Sequence, residues 1–209
     1  MKGHAEVLKE ANKVLSLDST LSTLLHIDIN LPYYDGDVNA YLYSSIISQQ
    51  LSTKAADAIY ARFLEFYGGN TPDSQQLLDT EIEDLRLIGL SKAKSNYLRN
   101  VANYFKDDPI DSQHWHTLEN EKVIESLTAI KGVGVWTVQM VLIFCLARKD
   151  IFPILDLGVR NSAIALYGLE GEKKEINKKL LEIAEGWKPY RTIASLYLWA
   201  WRNSGMKNG

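Results

Sequence analysis

One cysteine, five prolines and no apolar stretch long enough to span a bilayer are what this 209-residue chain has least of. A single thiol builds neither a disulfide nor a thiolate-rich zinc or iron–sulfur site. Cys145 stands inside the apolar run 141–146 and reads as a packed core residue rather than a nucleophile. The opening Met1-Lys2-Gly3-His4-Ala5-Glu6 lacks the apolar heart of a secretory signal, so the expected setting is a reduced compartment: the cytoplasm, or the nucleus of a eukaryote. Strand-like alternation is scarce too, with 151–155 the one short candidate. Positive charge is not in excess. The formal net charge of -3 argues mildly against a nucleic-acid partner, but acidic residues concentrate at 79–84 and 170–185, whereas Lys131, Arg148, Lys149 and Arg160 surround a glycine pair.

What is present is helical. Apolar residues recur at helical spacing over 4–15, 38–49, 53–67, 91–105, 121–128, 136–146, 157–167, 173–185 and 190–202. Asp18 or Ser19 is placed to cap a short helix through Leu25, Asp37 to cap 38–49, and Ser52 to cap 53–67, which stops at Gly68-Gly69. Thr71-Pro72 reads as a helix opening with proline first. Thr80 and Glu83 have the spacing of a capping box for a helix closing at Gly89. The stretches 31–37 and Asp107-Asp108-Pro109 read as loops. With 46% hydrophobic residues the chain can bury one substantial core or two small ones. The fold class is all-α: ten or more short helices with brief connections.

Four stretches carry chemistry. In Ile130-Lys131-Gly132-Val133-Gly134-Val135-Trp136-Thr137 two glycines permit backbone conformations that side chains disfavour, and backbone N–H groups at the start of the next helix suit an anionic oxygen such as a phosphate. The same turn can also serve only to join two packed helices. Ser48-Gln49-Gln50-Leu51-Ser52 makes a polar corner between helices, in which the glutamines are either solvated or functional. Asp156 precedes the helix at 157–167, where it is a good N-cap. Trp187-Lys188-Pro189-Tyr190-Arg191 and Ser195-Leu196-Tyr197-Leu198-Trp199 place aromatic residues at helical spacing, which suits a core as well as a ligand platform.

Together, in this order, these stretches resemble the helix–hairpin–helix (HhH-GPD) DNA glycosylases, and within them the 3-methyladenine DNA glycosylase II branch, over about 37–202. The resemblance implies a two-lobed all-α fold with a cleft between the lobes, one lobe from 1–36 plus 150–209 and the other from 37–149. It implies a monofunctional enzyme of base excision repair that flips an alkylated base of the 3-methyladenine or 7-methylguanine type out of double-stranded DNA and hydrolyses its N-glycosidic bond. The alternatives are the same chemistry on deaminated or oxidised bases, or a DNA-binding module without chemistry. Asp156 matches the catalytic carboxylate, which stabilises the oxocarbenium-like sugar or orients the attacking water. The second acid common just before it is Leu155 here.

Trp136, Met140 and Trp199 match positions lining the base pocket, Met140 standing where the family carries a tyrosine. Indole faces attract a cationic alkylpurine by about 0.5–2 kcal/mol. Gln50 matches the wedge that fills the hole left by the flipped base, with Leu51 beside it. Lys131, Gly132, Val133, Gly134 and Thr137 match the phosphate-binding hairpin. Bifunctional relatives carry a lysine two residues after the second hairpin glycine, and this chain has Trp136 there. No metal and no cofactor are implied, except that a monovalent cation can join hairpin to phosphate. Damaged duplex DNA is the implied partner, with no membrane association, for a monomer.

Overall fold

The computed structural model describes residues 3–33, 37–106 and 112–206. The expected breaks at Tyr34-Asp35-Gly36 and at Asp107-Asp108-Pro109 lie outside them. Among the described residues are twelve α-helices and no strand: α1 (His4–Leu15), α2 (Val38–Ser48), α3 (Thr53–Phe66), α4 (Ser74–Asp79), α5 (Ile82–Leu87), α6 (Lys92–Lys106), α7 (Ser112–Thr117), α8 (Asn120–Thr128), α9 (Val135–Met140), α10 (Leu157–Tyr167), α11 (Lys173–Glu185) and α12 (Arg191–Asn203). A 3-10 turn covers Leu21–Leu24 and a π turn Val141–Cys145. No helix among the described residues is long and apolar enough to cross a membrane. The chain divides into two compact units, Met1–Tyr33 with Leu142–Gly209, and Tyr34–Val141. The second crossing thus falls inside the π turn rather than at 149/150.

The first unit is built on α1, α10, α11 and α12. Their inward positions, Val7, Ala11, Leu15, Val159, Ala163, Ile176, Leu180, Ala184, Ile193, Ala194, Tyr197, Leu198 and Trp201, form one apolar core with Leu21, Leu24, Phe152 and Trp187. Asp18 ties this core together. Its Oδ1 accepts the N–H groups of Thr20 and Leu21 (both 3.0 Å), which start the 3-10 turn, and its Oδ2 accepts the Tyr167 hydroxyl (2.5 Å) and the Trp187 indole N–H (3.0 Å).

Burial alone would push the Asp18 carboxyl up. The bonds from Tyr167, Leu21, Trp187 and Thr20 outweigh burial and hold it below the ordinary 3.8. A depressed carboxylate contributes stability that is fully present above the unfolded value and is lost as pH falls through the folded one. Asp18→Asn offers an amide nitrogen where two donors converge. It should lower stability at neutral pH by about 1–3 kcal/mol, and its deficit against the parent should shrink below pH 3.8. Thermal melts across pH check this; a deficit that stays constant on acidification would reject it.

In the second unit α2, α3, α4 and α6 pack around Leu42, Tyr43, Ile46, Ile47, Phe63, Leu77, Leu98, Val101 and Ala102, all buried. Asp37 caps α2 through the Ala40 N–H (2.9 Å) and Ser52 caps α3 through the Ala55 N–H (3.4 Å). Gly68 and Gly69 end α3 with left-handed φ angles. Two sequence expectations fail locally. Pro72 does not open a helix: Asp73 caps α4 in a reciprocal box with Gln76, because its carboxylate satisfies the Gln76 N–H that a proline start leaves orphaned. Thr80 makes no capping box with Glu83; its hydroxyl donates to the Gln76 carbonyl (2.8 Å), and Glu81 takes the cap position of α5 without a side-chain bond.

The expected strand at 151–155 is absent as well. Ile151 and Phe152 are nearly buried, but the Ile151 N–H donates to Thr192 Oγ1 (3.0 Å) and the Thr192 N–H to the Lys149 carbonyl (3.0 Å). A helix start thus satisfies the backbone that a neighbouring strand would have paired.

Candidate active site

The hairpin joins α8 to α9. Its first glycine is conformationally required: Gly132 has φ +107°, and a Cβ there would lie 2.4 Å from Cγ of Tyr97, whose ring covers it. The second is not. Gly134, at φ -100° and ψ 167°, holds a conformation open to any residue, with nothing within 4 Å of an added Cβ. The expectation that both glycines serve the backbone is corrected to one. What Gly134 contributes is open space before the first turn of α9. Helix α6 supports the hairpin from below: Tyr97 covers Gly132, and Asn100 Nδ2 donates to the Lys131 carbonyl (2.9 Å).

The Val133 N–H is already bonded to the Ile130 carbonyl (3.0 Å), closing the turn, and Thr137 is 3% exposed because α9 turns that face to the core. Lys131 and Gly134 are exposed.

The corner between α2 and α3 lies against the same hairpin, Gln49 Nε2 donating to the Gly132 carbonyl at 3.4 Å. Lys94, held below its ordinary value by burial, donates to the Ile47 carbonyl (2.8 Å) near the end of α2. Gln50 is exposed at φ +59°, a left-handed conformation that a branched or long side chain rarely takes unless its surroundings impose it. Leu51 beside it is 38% exposed. Gln50, Leu51, Trp136 and Met140 line one hollow of about 670 Å³, the size of a small-molecule site. Tyr41, Ser44, Ser45, Ser48 and Gln49 complete it. Met140 is buried at 6%, whereas Trp136 is 40% exposed.

In the first unit Asp156 is the N-cap of α10. Its Oδ1 accepts two bonds at 2.9 Å, from the Val159 N–H and from Nε1 of Trp199. The Trp199 ring meets Phe144, centroids 5.6 Å apart and planes tilted by 34°. Both reach this place through backbone features: Trp199 lies on α12, and Phe144 is turned outward, 37% exposed, by the π turn that interrupts the expected helix at 136–146. Gly158 in the first turn of α10 leaves room for the cluster. A Cβ on it would stand 2.7 Å from Arg202 Nη1, 2.9 Å from Asp156 Oδ1 and 3.0 Å from Trp199 Nε1. Among the described residues no three His, Cys, Asp or Glu side chains gather as a metal site.

Residues 43–186 match the family model described as HhH-GPD superfamily base excision DNA repair protein. The chain belongs to this superfamily. It is 38% identical over 160 residues to DNA-3-methyladenine glycosylase 1 of Schizosaccharomyces pombe, a match spanning 76% of this chain and 69% of the relative. The crystal structure of a DNA-3-methyladenine glycosidase from Bacillus halodurans superposes with a TM-score of 0.81 at 37% identity, over 92% of this chain and 88% of that one. A 3-methyladenine DNA glycosylase of Schizosaccharomyces pombe in complex with abasic DNA superposes with a TM-score of 0.78 at 34% identity, over 91% and 95%.

Within this HhH-GPD chain the sequence reading missed three residues of the cluster around Asp156 and Trp199. Gly158 stands two residues on, where a glycine in a helix costs about 1 kcal/mol against alanine unless space is needed. Arg202 follows Trp199 by three, hence shares its helix face. Phe144 carried no legible signal, since only the π turn exposes it. Trp199 itself was expected as a flat wall for a base. Its N–H also ties it to the carboxylate, and its ring meets that of Phe144.

Proposed function

We propose that this protein is a monofunctional DNA glycosylase that hydrolyses the N-glycosidic bond of alkylated bases in duplex DNA, with Asp156 as its catalytic carboxylate. The observation that carries the reading is the fixing of one Asp156 oxygen by the Val159 N–H and the Trp199 indole N–H, in a chain of this superfamily. As the bond between sugar and base breaks, positive charge gathers on the sugar. A carboxylate already oriented by two donors stabilises it without reorganising, and water then adds to the sugar carbon on the face the carboxylate commands. The base leaves with the electron pair of the broken bond, which is easiest when alkylation has made it cationic.

The hollow of the second unit is assigned to the flipped base, with the Trp136 indole as an electron-rich wall. Gln50, held out at positive φ, is assigned as the wedge, with Leu51 as its apolar flank. The hairpin binds phosphate through the N–H groups that start α9, Lys131 adding charge, and Gly134 leaving room for the approach. A monovalent cation at the hairpin would be held by carbonyl oxygens. Those of Ile130, Lys131 and Gly132 each accept one N–H, which orients them and leaves a lone pair apiece. The enzyme acts as a monomer in the compartment that holds the DNA, bacterial cytoplasm or eukaryotic nucleus, and needs no resident cofactor.

Trp136 stands two residues after the second hairpin glycine, where bifunctional members of the superfamily carry the attacking lysine, and an indole forms no imine. Incubation with methylated duplex should release base and leave alkali-labile abasic sites, with no borohydride-trapped adduct. Uracil-containing and undamaged duplexes serve as controls. Strand breaks without alkali at the rate of base release would overturn the monofunctional assignment, and absence of base release would overturn the activity.

Gly134→Asp tests the hairpin. Its Cβ meets no protein atom, so folding should be unaffected, while the new carboxylate faces phosphate and should weaken binding to duplex with an abasic-site analogue by about tenfold or more. Unchanged affinity would remove the hairpin from the DNA interface.

A further inference from the structure

We infer that the hollow between α2 and α9 recognises bases by the N–H hydrogens they keep, through a wall of fixed hydrogen-bond acceptors. The inference rests on the assignment of that hollow to the flipped base. Helix α2 is two-faced: Leu42, Tyr43, Ile46 and Ile47 are buried in its unit, while Tyr41, Ser44, Ser45 and Ser48 line the hollow. Ser44 donates its hydroxyl hydrogen to the Tyr41 carbonyl (2.9 Å), and Ser48 donates its own to the Ser44 carbonyl (2.7 Å). A hydroxyl has one hydrogen and two lone pairs. With both hydrogens spent along the helix, what Ser44 and Ser48 offer a ligand is oxygen lone pairs.

Gln49 follows the same logic. Its amide nitrogen is directed at the Gly132 carbonyl (3.4 Å), which can only accept, so the side-chain oxygen is its acceptor end. The Trp136 indole, whose face is also electron-rich, lines the same hollow. A base that lays N–H donors or positive charge against these walls is satisfied by them. One whose edge carries only acceptors meets lone pair against lone pair at Ser44 and Ser48. Helix alanines would be intrinsically more stable than these serines, so the serines are not there for the helix.

Among alkylated purines, those alkylated away from the donor edge are therefore favoured. 7-Methylguanine keeps its ring N–H and its amino group, and 3-methyladenine keeps an amino group. 1,N6-Ethenoadenine, neutral and with its amino nitrogen closed into a ring, has no N–H to give and is disfavoured.

The test compares excision of 7-methylguanine and of 1,N6-ethenoadenine from otherwise identical duplexes by the parent, by Ser44→Ala/Ser48→Ala and by Ser48→Trp, with thermal melts to show folding. The double alanine variant keeps the Trp136 wall and removes only acceptors. It should lose about tenfold or more in kcat/KM on 7-methylguanine and change little on the etheno base. Ser48→Trp, at an exposed position facing the hollow, should block both substrates by filling it. If Ser48→Trp leaves both rates intact, the hollow does not hold the base, and the underlying assignment fails together with the inference. If Ser48→Trp blocks excision but the alanine pair leaves 7-methylguanine untouched or slows both substrates equally, the pocket stands and the acceptor wall does not select. Should the parent release no measurable ethenoadenine, the 7-methylguanine arm alone decides between these outcomes.

Discussion

Asp156→Asn should fold, hold duplex containing an abasic-site analogue as tightly as the parent, and excise alkylated bases more slowly by about 10² or more. The amide oxygen can still accept from the Val159 N–H and from Trp199 Nε1, both 2.9 Å from Asp156 Oδ1, so the cap of α10 and the seat of the indole persist. What is removed is the charge that faces the developing oxocarbenium. The loss should therefore appear in kcat with KM nearly unchanged. A folded variant that excises at near-parental rate would show that Asp156 serves α10 as a cap and nothing more.

Gly158→Ala should be the second severe lesion, although it adds one methyl group outside any ligand contact. The methyl would meet Arg202 Nη1 at 2.7 Å, Asp156 Oδ1 at 2.9 Å and Trp199 Nε1 at 3.0 Å. The guanidinium is the end of a flexible chain and can swing away. The carboxylate oxygen and the indole nitrogen are bonded to each other, and they cannot both retreat without breaking that bond or rotating the carboxylate. Displacement of a reacting group by about an ångström costs on the order of 10² in rate. Stability should change little, because alanine's gain of about 1 kcal/mol over glycine inside a helix offsets part of the crowding. Single-turnover excision beside a thermal melt separates the two effects. Full activity in Gly158→Ala would mean that the carboxylate finds its working position without this packing.

The helices and most of their ends were legible because they are decided by neighbours a few residues apart. The spans at 4–15, 157–167 and 173–185 emerge with the same bounds, and Asp37, Ser52 and Asp156 cap the helices assigned to them. Reading failed where two local solutions compete. Asp73 displaced Pro72 as the opening of α4 because it satisfies one more backbone N–H, and the apolar stretch 151–155 became a loop because Thr192 supplied its partner. The helix expected through 136–146 changes to a π turn at Val141, which no periodicity announces.

The sequence by itself determined the family, the all-helical class, the hairpin and Asp156 as the cap of α10, since each is written in residues close together: glycine spacing, a cap position, apolar period. Tertiary structure alone decided that Trp199 grips the carboxylate rather than only offering a face, and that Gly132 is indispensable under Tyr97 while Gly134 is simply open. It also decided that Gly158 is a spacer under Asp156, and that the serines of α2 share a hollow with Trp136 and Met140. Three of these facts join residues 35 to 96 positions apart in the chain, counting from Gly132 to Tyr97, from Asp156 to Trp199 and from Ser44 to Met140. A hydrogen bond or a steric limit acts over a few ångströms of space, and only the packed chain says which distant residues come that near.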